Sequence, residues 1–135
     1  MPLVIRELHP APAPGSLNEE WILVENTGPG QVSTAGCTLW VSTRGRKGRR
    51  RLLGTLDPGF LIRPGEKVRL VTGSPAKQGQ GTPPPEAEGV RNYHLFLREP
   101  VLHEPGVVLH LLLNQMELCA ARFAPQEGGG VGAGS

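Results

Sequence analysis

Aromatic side chains are scarce: two Trp, one Tyr and three Phe make up 4% of 135 residues. No apolar run approaches the ~18 residues needed to cross a bilayer as a helix, so membrane insertion is not expected. The opening Met1-Pro2-Leu3-Val4-Ile5-Arg6 lacks a charged region followed by an apolar one, so no secretion signal is expected. The reading favours an intracellular chain, nuclear in a eukaryotic cell, with export within a larger protein as the alternative.

Ligand and catalytic spacings are also missing. His9, His94, His103 and His110 stand far apart, and neither Cys37 nor Cys119 belongs to a Cys-x2-Cys pair, so no metal or other cofactor is expected. Ser33, Ser42 and Ser74 sit outside any Gly-x-Ser-x-Gly elbow. Glu19 and Glu20 are adjacent, so on a strand they point to opposite faces. A non-enzymatic chain is expected.

Glycine and proline, by contrast, are abundant, at 19 and 14 residues. Both are poorly tolerated in helix interiors, and so many of them predict frequent chain reversals. Between the turns lie short apolar or alternating segments with strand periodicity. These are 3–8, 21–25, 37–42, 51–56, 60–62, 67–72, 93–97, 107–113 and 116–123. The reading is an all-β fold, a sandwich of about eight strands, occupying residues 1–125. The aperiodic stretch from Gly73 to Asn92 is expected to be a mobile loop and a candidate binding loop. Residues 126–135, with Gly128-Gly129-Gly130, are expected to be a disordered tail. Trp21, Leu23, Trp40 and Phe60 are read as core residues or as an apolar docking surface.

Cys37 and Cys119 invite comparison with the disulfide of antibody domains. There a core Trp follows the first Cys by about a dozen residues, whereas Trp40 lies three beyond Cys37 and on the opposite side of its strand. Two buried reduced thiols are expected, with a bridge as the alternative.

Charge is concentrated. Six of the 14 cations are Arg44, Arg46, Lys47, Arg49, Arg50 and Arg51, and setting them aside leaves eight cations against twelve acids, a remainder of −4. Between two expected strands they form a hairpin. Guanidinium groups there suit the phosphates of nucleic acid or another polyanion, a solvated loop that aids solubility being the alternative. The hairpin lacks interleaved aromatic residues for base stacking, so specific base readout is not expected.

Three motifs add a resemblance. Asn18-Glu19-Glu20-Trp21-Ile22, continuing through Val24-Glu25-Asn26-Thr27-Gly28, is similar to the opening strand and turn of the lamin tail domain. Ala35-Gly36-Cys37-Thr38-Leu39 resembles that family's next strand, and Ile62-Arg63-Pro64-Gly65-Glu66-Lys67-Val68, with Thr72-Gly73, its Pro-Gly turn and following strand. The likeness spans roughly residues 3 to 124. It implies an immunoglobulin-like sandwich used for protein contacts and, in lamins, for chromatin association. The expected function is a non-catalytic interaction module with a protein partner, and with DNA or another polyanion at the basic hairpin. A passive structural or accessory domain of a larger protein is the alternative. The oligomeric state stays open.

Overall fold

The computed structural model describes residues 3–43, 49–56, 58–75 and 79–132. Among the described residues ten strands run in chain order: β1 (Leu3–His9), β2 (Trp21–Asn26), β3 (Val32–Ser33), β4 (Cys37–Ser42), β5 (Arg50–Thr55), β6 (Leu61–Ile62), β7 (Lys67–Val71), β8 (Val90–His94), β9 (Val108–Leu113) and β10 (Met116–Arg122). One sheet has the order β1-β2-β7-β8 and the other β10-β9-β4-β5, with β3 and β6 forming a small separate pair. Pairing is antiparallel except between β7 and β8. The fold is an all-β sandwich.

Alternation explains the layers. Ile22 and Val24 on β2, Val68 and Leu70 on β7, Leu39 and Val41 on β4, and Leu109 and Leu111 on β9 are buried in one shared core. Each such side chain contributes about 1.5–3 kcal/mol on leaving water. Among the described residues the core is almost wholly aliphatic, Phe123 being its one buried Phe, Tyr or Trp. Trp21, Leu23 and Trp40 alternate with core residues and are only half-buried, while Phe60 packs against the core rim. The core therefore does not depend on the tryptophans.

Three segments differ from the sequence reading. The eighth strand begins at Val90 rather than Tyr93 and ends at His94, because Phe96 has φ 56°, which an extended chain cannot accommodate. Tyr93, Leu95 and Leu97 still pack against the core, which is the alternation visible in the sequence. Much of the stretch from Gly73 to Asn92, expected to be mobile, is tied down. Asn18 Nδ2 donates to the carbonyls of Ser74 and Gly81, and Asn92 Nδ2 to that of Pro84.

Of residues 126–135, expected as a disordered tail, 126–132 fold back onto β1 and 133–135 lie outside the described residues. A 3-10 turn at Gly128–Gly130 leads to a bridge between Val131 and Phe123, and Ala124 N–H donates to Gly130 O at 2.7 Å. Gly130 has φ 74°, and a Cβ there would run into the Leu8 carbonyl oxygen. Glycine here is a packing requirement, which composition alone reads as disorder.

Candidate anion-contact site

β4 and β5 pair antiparallel from Ser42 opposite Arg50 to Thr38 opposite Thr55, so the basic stretch lies in sequence between two neighbouring antiparallel strands. Arg44, Arg46 and Lys47 lie outside the described residues. Arg49 immediately precedes β5, and Arg50 and Arg51 are its first two residues, all three exposed. Adjacent strand residues point to opposite sides, so the structure does not gather these arginines into one cluster.

On the outer face, the Arg50 guanidinium carbon lies 5.9 Å from the Trp40 ring centroid. Trp40 Nε1 donates to Thr38 Oγ1 at 2.8 Å, fixing the indole on which the cation rests. On the other side, Arg51 lines a groove of about 310 Å³ with Leu53, Leu97, Arg98, Glu99 and Pro100. Two guanidiniums against one carboxylate leave that groove cationic. Leu53 is the extra residue of a bulge, since Leu39 pairs with Gly54 and Trp40 with Leu52. Arg98 gave no signal in the sequence, because a single arginine between Leu97 and Glu99 has no periodic or motif context.

Among the described residues, no acidic side chain pairs with Arg49, Arg50, Arg51 or Arg98. Elsewhere two arginines are matched by carboxylates, Arg6 meeting Glu25 at 2.8 Å and Arg91 meeting Glu66 at 2.7 Å, while Arg69 bonds Pro85 O and Asn92 Oδ1 instead. Burial alone would raise the Glu66 carboxyl, but the Arg63 amide and the Arg91 guanidinium outweigh it and hold Glu66 below its ordinary value.

One constellation escaped sequence reading. His110 Nδ1 lies 2.7 Å from Glu117 Oε1, and His110 Nε2 lies 3.0 Å from Ser42 Oγ. A carboxylate only accepts, so Nδ1 donates to it. The order matches a serine, base and orienting acid, yet Ser42 and His110 are each 1% exposed. The arrangement fastens β4, β9 and β10 together.

The other histidines are dispersed: His9 stacks on Trp21 at 3.9 Å, His94 Nδ1 approaches Gly73 O, and His103 Nδ1 approaches Val101 O. Among the described residues, no group of three or more His, Cys, Asp or Glu could hold a metal ion, and no helix is long and apolar enough to cross a membrane.

Cys37 and Cys119 are free. β9 separates their strands, so their backbones stand about two strand spacings apart, roughly 9–10 Å, beyond the ~7 Å that a bridge tolerates. Burial raises the Cys37 thiol. Burial, followed by the charges of Glu117 and Cys37, pushes Cys119 up to about 12. Both thiols are therefore poor nucleophiles. Neither the models of known protein families nor the curated proteins give a match to this chain.

Proposed function

We propose that the chain is a non-catalytic interaction module whose contact site for an anionic partner is the β4–β5 hairpin. The observation that carries this reading is three consecutive exposed arginines, Arg49, Arg50 and Arg51, without a carboxylate partner among the described residues. Charged groups left in water cost nothing to keep, and they are ready to exchange hydration for phosphate or carboxylate oxygens. The sandwich supplies a rigid base, and β5 presents its first two arginines from a paired strand rather than from loose chain.

The resemblance to lamin tail domains supports the same reading, because such modules serve protein contacts and, in lamins, association with chromatin. Binding of a DNA duplex and of polyglutamate to the intact chain at low ionic strength tests it. Association with at least one polyanion, weakened by Arg49→Ala, Arg50→Ala and Arg51→Ala together, is the expected outcome. Association of neither ends the proposal.

A further inference from the structure

We infer that β5 receives an extended acidic peptide as an added strand, whose carboxylates are held in the groove between Arg51 and Arg98. This rests on the hairpin reading and names its occupant.

β5 ends its sheet, in the order β10-β9-β4-β5. Among the described residues only β4 pairs with it, so alternate N–H and C=O groups along its other edge have no strand to bond. Its side chains then set the character of any added strand. Arg51 and Leu53 border the groove, while Arg50 and Leu52 lie on the outer side, Leu52 being 47% exposed. A strand alternates its side chains with period two. One set of peptide residues would therefore meet Arg51 and Arg98, and the other would run past Arg50 and Leu52. Acidic residues alternating with apolar ones satisfy both sides.

The opposite wall of the groove is fixed in place. Leu95, Phe96 and Leu97 N–H donate to the carbonyls of Val71, Gly73 and Thr72 at 2.8, 3.3 and 2.9 Å. Phe96 takes its positive φ of 56° within this run, a conformation that an aromatic residue adopts only when its surroundings impose it. Arg98 is thus carried on an anchored segment, and its exposed guanidinium has no ion-pair partner among the described residues.

Cations on an edge strand also keep copies of a chain from pairing edge to edge. Two β5 edges would set arginines against arginines, which disfavours a second copy as occupant. Self-avoidance gives no role to Arg98 across the groove, whereas an acidic strand uses it. A nucleic-acid backbone would use the charges but not the unpaired strand edge.

The test titrates the full chain with a short peptide alternating glutamate and valine, with two versions N-methylated at one or the other alternate set of backbone nitrogens, and with a DNA duplex. Fluorescence anisotropy reads affinity, and amide hydrogen exchange reads the edge. The inference predicts that the peptide slows exchange at Arg50 to Leu53 and that one N-methylated version fails to bind while the other binds. Arg98→Ala, at an exposed position, should weaken the peptide about tenfold, as expected for one charge-assisted contact. Equal binding of both N-methylated versions overturns strand addition while leaving the hairpin as an anion contact. Binding of the duplex without the peptide overturns the choice of partner and again leaves the hairpin reading standing. If neither ligand binds at low ionic strength, both readings fall.

Discussion

The Glu20 carboxylate accepts a hydrogen bond from Thr72 Oγ1 at 2.6 Å, and neither residue reaches solvent. The same carboxylate accepts from Val101 N–H at 2.8 Å and Leu102 N–H at 3.1 Å. It thereby pins the segment that follows the groove wall to the start of β2. Glu20→Ala would leave two buried amides and a hydroxyl unpaired, and about 2–5 kcal/mol of stability should be lost. Thr72→Ala, which leaves the amides satisfied, should cost about 1–2 kcal/mol. Urea unfolding of the two variants checks both the size and the order.

The Gly128–Gly130 turn yields a second prediction. Gly130→Ala must place a Cβ against the Leu8 carbonyl at a positive φ, which strains the backbone by about 1–3 kcal/mol. A lowered melting temperature is expected, together with faster amide exchange at Ala124, whose N–H bonds to Gly130 O. Unchanged melting would mean that the segment does not pack on β1.

Fold and site were unequally legible in the sequence. Lys67–Val71 reads directly as a strand because Val68 and Leu70 alternate with Lys67 and Arg69 in both the sequence and the burial pattern. Phe96 defeated the same logic, because tertiary hydrogen bonds impose its left-handed conformation and local pattern holds no trace of them. The glycine run misled in the opposite sense, since the absence of side chains resembles disorder and here permits close backbone approach. Ser42 and His110 are separated by 68 positions, and only the pairing of β4 with β9 brings them together. At the candidate site, the run from Arg44 to Arg51 announced itself by charge density, whereas Arg98 became relevant only through its position across the groove.

The His110 network should behave as a structural clasp. His110→Ala removes a fully buried ring and deprives Ser42 and Glu117 of that partner, for a loss of about 2–4 kcal/mol. Ser42→Ala removes a single hydroxyl and should cost about 1 kcal/mol. Chemical denaturation of both variants measures the difference, and two equal, small losses would contradict the clasp.

Cys119 gives the chain an alkaline limit. Its thiol moves from an ordinary value of 9.0 up to about 12 in the folded protein, so between those values the folded state keeps a proton that the unfolded state has lost. Stability is then unaffected below pH 9 and falls as pH rises towards 12, by something on the order of 4 kcal/mol in the limit. Cys119→Ala should flatten that decline relative to the parent chain when unfolding is followed across this range. Parallel pH profiles would contradict the assignment.

The central claim concerns unpaired arginines that meet an anionic partner. Its most direct measurement is the salt dependence of binding to the polyanion that associates, DNA duplex or polyglutamate, by the parent chain and by the triple variant at Arg49, Arg50 and Arg51. On a duplex, each arginine that displaces a counterion contributes roughly 0.9 to the slope of log affinity against log salt. The account predicts a steep slope for the parent chain and a shallower one for the variant, by about two to three on a duplex. Identical slopes would contradict it and leave the hairpin as a solvated surface.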